Sequence, residues 1–188
     1  MAITPSAFWF LRHGETDWNA QSLSQGNVDI PLNPRGIAQA EAAALALRNR
    51  GIASIVHSPL GRARHTAEIV AAALDLPITP DEDLRESSFG THEGQPMGEW
   101  FSSWIEESFT PPGGEPFGQL RARGVTALNR ALGQPPTVLV VGHGAFWRAI
   151  RQVIGLEVNV RTPNATPLFV SPPSDGSGPW TLEVHAPV

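Results

Sequence analysis

The sequence of 188 residues contains no cysteine, no lysine and no long apolar run. Without cysteine the chain can form neither disulfides nor thiolate metal sites, and this composition fits a reducing compartment. No stretch approaches the roughly 18 consecutive apolar residues that a membrane-spanning helix needs. The first residues also lack the basic segment and apolar run of a signal peptide. These absences predict a cytoplasmic protein with no membrane partner.

The absence of lysine leaves every cationic function to arginine, which accounts for all 13 basic residues. Lysine-dependent chemistry, such as a Schiff base or a P-loop, is therefore excluded. A guanidinium group binds oxyanions through a planar two-pronged fork, so a phosphate or carboxylate site in this chain must use that geometry. The formal net charge of −5 argues against nucleic acid as a partner.

The order of apolar patterns predicts an α/β fold. Three short apolar runs, at 7–11, 53–57 and 137–142, are typical of buried strands, and two further strands are expected at 166–170 and 180–185. Segments with helical periodicity follow the first three strands. The length suits one domain with a substantial core.

Two helix starts carry recognisable caps. Asn33 is a predicted N-cap, with Pro34 in the first turn of a helix that ends near Gly51. Ser58 is likewise a predicted N-cap, with Pro59 at the first position of a helix that runs to about residue 74. Two more helices are expected at about 115–132 and 145–154.

Residues 95–117 differ in composition from the rest of the chain. They are rich in aromatic side chains and contain a Pro-Pro-Gly-Gly break at 111–114. We expect a short helix and a loop that lie over the sheet as a lid, and part of the aromatic set should form the lid's own core.

A histidine followed by glycine stands at the end of two predicted strands, as His13-Gly14 and His143-Gly144. In open α/β sheets, ligands bind beyond the carboxyl ends of the strands. Arg12 precedes the first histidine and Arg62 follows the second predicted strand. The sequence therefore predicts that these side chains converge on an anion site.

Several motifs together resemble the signature of the histidine phosphatase superfamily, the phosphoglycerate-mutase-like proteins. They occur in the family's order and are Arg12-His-Gly-Glu-Thr16 with Trp18-Asn19, Gln25-Gly26, Pro31-Leu-Asn-Pro-Arg-Gly36, Ser58-Pro-Leu-Gly-Arg-Ala63 with Thr66-Ala67, Leu84-Arg-Glu86 with Phe89-Gly90 and Glu93-Gly94, Gly113-Gly-Glu115 and Gly142-His-Gly144. The resemblance reaches to about residue 155. It implies a three-layer α/β/α sandwich with a mostly parallel central sheet, formed by residues 1–188 as a single domain with the lid inserted at about 95–117.

The same resemblance implies a role for each matching residue. His13 would be the nucleophile that forms a phosphohistidine, and Glu86 would donate a proton to the leaving oxygen and later take one from water. The clamps of the phosphoryl oxygens would be Arg12, Arg62 and His143, and the substrate-binding residues would be Asn19, Gln25, Gly26 and Gly144. The implied partner is a small phosphate ester, with no cofactor and no metal.

The chemistry of phosphoryl transfer calls for these residue types independently. Imidazole can attack phosphorus and later leave, which divides one difficult step into two. Arginines can neutralise charge that spreads over three oxygens, so a metal ion is not required. A buried carboxylic acid can have a pKa near the working pH, as a proton donor needs.

Four functions remain to be compared: a metal-independent phosphatase, a phosphoglycerate mutase, a non-catalytic phosphate-binding protein and a metallohydrolase. The family's mutases use extra basic residues after the acid motif, whereas this chain has no Arg or Lys between Arg85 and Arg121 but several glutamates. Ala145 also stands where those mutases tend to have Asn. The phosphatase is favoured, because the catalytic set is intact and no His/Asp cluster has the spacing of metal ligands.

The lid composition predicts selectivity for aryl or neutral monophosphates over 3-phosphoglycerate and bisphosphates, since the segment is acidic and aromatic. The sequence leaves open whether the chain forms a homodimer.

Overall fold

The computed structural model describes residues 2–186 of the chain. In this part the strands are β1 (Phe8–Arg12), β2 (Ser54–His57), β3 (Ile78–Pro80), β4 (Val138–Gly142), β5 (Leu168–Ser171) and β6 (Thr181–Val184). The α-helices are α1 (Asp17–Ala20), α2 (Pro34–Leu47), α3 (Gly61–Leu74), α4 (Glu99–Ile105), α5 (Phe117–Leu132) and α6 (Gly144–Val153). None of these described helices is both long and apolar enough to cross a membrane.

The strands form one sheet in the order β3-β2-β4-β1-β5-β6. Strands β1 to β4 are parallel, whereas β5 and β6 pair antiparallel at one side. The register places Arg12 opposite Gly142 at the carboxyl ends of β1 and β4. The residues that follow these two strands therefore leave the sheet side by side.

Alternating side chains of the sheet belong to two separate hydrophobic cores, one on each face. Phe8 and Phe10 of β1 pack on the side of α5 and α6, while Trp9 and Leu11 pack on the side of α2 and α3. Because successive residues of a strand point to opposite faces, a strand that is apolar throughout must be covered on both sides. The predicted three-layer α/β/α sandwich with a mostly parallel sheet is confirmed.

The predicted start of α2 is correct, and that of α3 is not. The Asn33 side chain accepts a hydrogen bond from the Gly36 N–H at 2.8 Å, as an N-cap does. Helix α3 begins at Gly61 with Leu60 as its N-cap, three residues after Ser58. The Ser58 hydroxyl lies instead against a histidine of the candidate site.

The segment 95–117 forms helix α4 and two loops. Trp104 is fully buried, and its ring contacts those of Phe89 and Phe117 edge-to-face at centroid distances of 5.1 and 4.9 Å. Phe101 is also buried, next to Trp104. These rings pack the segment 95–117 against α5 and against the loop that contains Phe89. Much of the aromatic content of the segment therefore serves its own packing.

Candidate active site

The carboxyl ends of β1, β2 and β4 meet at one edge of the sheet, above a cavity of about 280 Å³. The His13 N–H donates to the Gly142 carbonyl at 3.0 Å, which continues the β1–β4 ladder by one residue. The Ser58 N–H likewise donates to the Val141 carbonyl at 3.0 Å. Parallel pairing thus delivers the residue after each strand to the same place.

The two histidines that the sequence singles out lie next to each other. Their ring centroids are 5.2 Å apart. His13 Nδ1 lies 2.7 Å from the Gly14 carbonyl oxygen, which can only accept, so Nδ1 carries the proton. In the neutral ring, Nε2 then keeps a lone pair, as a nucleophile requires.

Gly14 allows this turn because the backbone of Gly36 passes directly against it. A Cβ at Gly14 would lie 2.3 Å from the Gly36 carbonyl oxygen, far closer than two non-bonded atoms approach. The glycine after His13 is therefore required by packing between the β1 loop and the first turn of α2.

Both histidines are neutral in the ligand-free site. Burial, followed by the positive charges of Arg62 and Arg12, holds the pKa of His13 well below its ordinary value of 6.5. The pKa of His143 is held well below 6.5 by burial first, and then by Arg62 and its other charged neighbours. A neutral imidazole at position 13 is the form that can attack phosphorus.

His143 is fully buried behind the cavity wall and is not among the residues that line the cavity. Its Nε2 lies 2.7 Å from the Ser58 hydroxyl. Its Nδ1 has no hydrogen-bond partner among the described residues. Nδ1 is thus the ring nitrogen of His143 that is left without a partner in the described part of the chain.

Arg62 is anchored by backbone carbonyls. Although it lies in the first turn of α3, it is only 1% exposed. Its Nη2 donates to the Gly26 carbonyl at 2.7 Å and its Nη1 to the Val28 carbonyl at 2.9 Å, so the loop before α2 fixes the guanidinium. Burial lowers the pKa of Arg62.

The Arg12 guanidinium is bound by a residue 150 positions further along the chain. Its Nη1 donates to the Thr162 carbonyl at 2.7 Å, and its Nε has no partner among the described residues. Burial lowers the pKa of Arg12 to about 10, and Glu86 opposes this shift. The group therefore remains a cation at neutral pH and can bind an anion in the cavity.

Glu86 lines the cavity at the N-terminus of α6 and is 8% exposed. Its Oε1 accepts N–H groups of Ser87 at 3.1 Å and Phe146 at 2.9 Å, and its Oε2 accepts that of Ala145 at 2.9 Å. A carboxylate offers about four acceptor positions, two on each oxygen. The remaining position lies on Oε2, where a proton can be held.

The four predicted substrate-binding residues also line the cavity; they are Asn19, Gln25, Gly26 and Gly144. Asn19 Oδ1 accepts from the Thr16 N–H at 3.3 Å and from Asn164 Nδ2 at 3.1 Å. The NH₂ group of Asn19 is thereby left to donate into the cavity. In residues 2–186 no three side chains of metal-binding type are grouped to hold a metal ion.

Sequence reasoning missed three residues of the site. Asn164 donates to the His13 carbonyl at 2.9 Å as well as to Asn19, and so ties two loops together. Arg148 and Arg161 also line the cavity. Arg148 lies four residues, about one helical turn, after Gly144, and this spacing is the signal that could have found it; no local pattern marks Asn164 or Arg161.

The two additional arginines bear on the prediction about selectivity, which was drawn from the lid and which the structure does not test. The lid contributes no cation, as its composition indicates, but α6 and the connection before β5 supply two. An inference drawn from the lid alone therefore underestimates the positive charge of the cavity.

Comparison with known protein families decides the identity of the fold. The model of the histidine phosphatase superfamily (branch 1) matches residues 8–165. The chain belongs to this superfamily. The resemblance drawn from the motifs is therefore confirmed, and the match extends about ten residues further than the motifs did, to include Arg161 and Asn164.

Two relatives show the range of this histidine phosphatase branch. The chain is 38% identical over 148 residues to an uncharacterized phosphatase, PhoE, of Bacillus subtilis (strain 168), covering 77% of this chain and 75% of the relative. It is 37% identical over 147 residues to a probable phosphoglycerate mutase, GpmB, of Yersinia pestis (strain Pestoides F), covering 72% and 68%.

Solved structures resemble the histidine phosphatase fold of this chain over nearly its whole length. A mycobacterial glucosyl-3-phosphoglycerate phosphatase in complex with VO₃ superposes with a TM-score of 0.81 at 29% identity, covering 97% of this chain and 99% of that one. A protein described as mycobacterial hydrolase 1 gives a TM-score of 0.83 at 28% identity, with the same coverage. The chain thus shares its fold with a solved phosphatase.

Proposed function

We propose that this protein is a metal-independent phosphomonoesterase that hydrolyses small phosphate esters through a phosphohistidine on His13. The observation that carries the proposal is the state of His13: a buried, neutral imidazole whose Nδ1–H is bound by the Gly14 carbonyl and whose Nε2 lone pair is free. Arg12 and Arg62 stand beside it to neutralise phosphoryl oxygens.

In the first step, Nε2 of His13 attacks phosphorus and the bond from phosphorus to the ester oxygen breaks. Glu86, protonated on Oε2, gives its proton to the leaving alcohol. Its position between the α6 N-terminus and the cavity supports this role, since one acceptor site of the carboxyl group remains open.

In the second step, water attacks the phosphoryl group and the Nε2–phosphorus bond breaks. The Glu86 carboxylate accepts the proton of that water, which returns the acid to its starting form. Imidazole leaves as readily as it attacks, so one residue serves both halves of the reaction.

The comparisons support a phosphatase on two grounds. PhoE and the mycobacterial structural neighbour are both named phosphatases. That neighbour has been solved with VO₃ and with inorganic phosphate, the kind of oxyanion that the arginines of this cavity would bind.

A phosphoglycerate mutase is the second candidate, favoured by the name of the Yersinia relative. A mutase must keep its phosphoryl group from water while the substrate reorients. The segment 95–117, which covers the cavity through Met97 and Phe101, contains no basic residue to hold a phosphorylated acid during that step. The phosphatase is therefore the better proposal, and a non-catalytic binding protein is the weakest one.

The experiment is a rapid quench of the purified protein with a ³²P-labelled ester. A phosphoenzyme that survives alkali and is lost in acid is expected, with the label on Nε2 of His13. The His13→Ala variant should not be labelled or turn over, and EDTA should leave the wild-type rate unchanged. Label on Ser or Asp, or turnover in His13→Ala, would contradict the proposal.

An assay with 3-phosphoglycerate in the presence of 2,3-bisphosphoglycerate distinguishes the phosphatase from the mutase. Phosphate release that outruns isomerisation is expected for the phosphatase. Isomerisation faster than phosphate release would identify a mutase.

A further inference from the structure

The proposed proton donor, Glu86, lies on a segment without regular secondary structure. Residues 85–89, here called the acid segment, connect two short 3₁₀ turns at 82–84 and 90–92 and belong to no helix or strand. A loop positions a side chain less precisely than a helix or strand does, whereas proton transfer requires close alignment. Contacts from other parts of the chain must therefore hold the acid segment in place.

Arg123, in the second turn of α5, supplies several of those contacts. Its Nη1 donates to the carbonyls of Asp83 and Arg85 at 2.7 and 2.8 Å, and its Nη2 donates to the Glu86 carbonyl at 3.1 Å. One guanidinium group thus binds three backbone carbonyl groups within four residues. The backbone is fixed at Glu86 itself and on its N-terminal side.

Glu115 orients the Arg123 guanidinium from the other side. Nε and Nη2 of Arg123 donate to the two carboxylate oxygens of Glu115, each at 2.7 Å. With these bonds all five N–H groups of the guanidinium are used, and only arginine carries five donors in this planar fork. The two side chains are 22% and 17% exposed, so solvent screens the pair less than it screens a salt bridge on the surface.

Two glycines before Glu115 bring its backbone against the acid segment. The Glu115 N–H donates to the Ser88 carbonyl at 2.8 Å. A Cβ built on Gly114 would lie 3.1 Å from the Ser88 carbonyl oxygen and 2.9 Å from that of Pro111, closer than a larger residue allows without a shift of the backbone. The Gly113-Gly-Glu115 motif, to which the proposed reaction assigns no role, therefore places this carboxylate.

We propose that Arg123 and Glu115 are positioning residues for Glu86, which hold the acid segment so that the Glu86 carboxyl group meets the leaving oxygen. The inference rests on the proposed function, in which Glu86 is the proton donor, and adds two residues that act through it. Neither Arg123 nor Glu115 lines the cavity, so both act without touching the substrate. Loss of their contacts should impair proton transfer more than binding of the phosphoryl group.

The first test is single-turnover cleavage by Arg123→Gln of two esters, p-nitrophenyl phosphate and an alkyl ester that the wild type cleaves, such as glycerol 3-phosphate. A displaced acid slows the alkyl ester most, because its alcohol leaves poorly without a proton. We expect that cleavage to fall about 10–100-fold, as a displacement of about 1 Å can cause, and cleavage of the aryl ester to fall much less. Combining Arg123→Gln with Glu86→Gln should add no further difference between the esters.

Two further variants and a matched control separate positioning from general packing. Glu115→Gln keeps one acceptor for the guanidinium and should show a smaller loss with the same dependence on the ester. Arg123→Lys keeps the charge but has three donors, so it should not restore the wild-type ratio between the esters. Arg130→Gln is the control, because Arg130 lies seven residues further along α5 and binds the side chains of Asp81 and Asp83; the ratio should stay unchanged.

The second test locates the Glu86 carboxylate without turnover. This carboxylate accepts the N–H groups of Ala145 and Phe146, each at 2.9 Å. In Arg123→Gln the amide ¹H signals of these two residues should shift and their hydrogen exchange should become faster. In Arg130→Gln both should remain as in the wild type.

Equal losses for both esters in Arg123→Gln, or unchanged signals of Ala145 and Phe146, would overturn the inference. If Arg123→Gln does not fold, Glu115→Gln decides by the same criteria. Equal losses in Glu86→Gln would contradict the proposed proton donor itself, and cleavage of no ester would contradict the phosphatase. A dependence on the ester in Glu86→Gln but not in Arg123→Gln would leave the proposed function standing and remove only the positioning pair.

Discussion

The hydroxyl of Ser58 lies 2.7 Å from Nε2 of His143, between the ends of β2 and β4. The same hydroxyl oxygen accepts the Leu60 N–H at 3.3 Å, so its own proton is free to point at Nε2. Neutral imidazole has one donor and one acceptor nitrogen. We infer that the Ser58 hydroxyl donates to Nε2, which makes Nδ1 the N–H donor of the neutral His143 ring.

We predict that Ser58→Ala lowers kcat/KM about tenfold or more, since a lost hydrogen bond to a buried group costs about 1–3 kcal/mol. The ¹⁵N shifts of His143 should reveal the change of tautomer, and Ser58→Thr should restore both shifts and activity. Ser54→Ala is the control, because Ser54 begins the strand that Ser58 follows and its hydroxyl donates to the Pro135 carbonyl, away from His143. Unchanged shifts in Ser58→Ala would refute the role.

Glu86→Gln tests the proton donor. An amide cannot give a proton to the leaving oxygen, so esters of sugars or glycerol, whose alcohols leave poorly, should lose about 10²–10⁴-fold in cleavage. A p-nitrophenyl ester needs little protonation and should lose much less. The measurement is single-turnover cleavage of both esters, with circular dichroism as a check that the fold survives loss of one acceptor at α6. Equal losses for both esters would argue against proton donation.

Arg62→Lys tests whether charge alone suffices in the clamp. Lysine keeps the charge but cannot contact the Gly26 and Val28 carbonyls and still present a two-pronged fork to phosphate. We expect kcat/KM to fall about 10–100-fold, the effect of one charge-assisted hydrogen bond, and Arg12→Lys to behave alike. Arg64→Lys, two residues further on the exposed face of α3, should match the wild type. Near wild-type rates in Arg62→Lys would show that a positive charge suffices at this position and that the two-pronged guanidinium contact is not needed.

The lowered pKa values of His13 and His143 predict their titration in the ligand-free protein. Below pH 6.5 the unfolded chain binds protons at these positions while the folded chain does not, so protonation favours unfolding as the pH falls. Each histidine can thereby remove up to about 1.4 kcal/mol of stability per pH unit until its folded pKa is reached.

Histidine ¹⁵N spectra from pH 7.5 to 5 provide the check. The signals of His13 and His143 should remain those of neutral rings through pH 6.5. Midpoints near 6.5 for the two buried rings would show that burial does not depress them.

Much of the fold was predictable because local chemistry and tertiary structure agree there. The apolar runs before Arg12 and His143 are buried strands. They were predictable because a strand that is covered on both faces is apolar at nearly every position. Asn33 caps α2 as predicted, because its side chain needs only a backbone N–H three residues away. Ser58 failed as a cap for a tertiary reason: its hydroxyl is bound by a histidine 85 residues further along the chain.

By itself the sequence determined which groups can do chemistry: histidines and arginines at strand ends, one carboxyl group at Glu86, and no lysine or cysteine. Only the tertiary structure decided what these groups face. Parallel pairing of β1 with β4 brings His13 and His143 to a centroid distance of 5.2 Å, and the connection before β5 returns Asn164 and Arg161 to the same edge. Such contacts depend on how distant segments pack, and no local pattern encodes them.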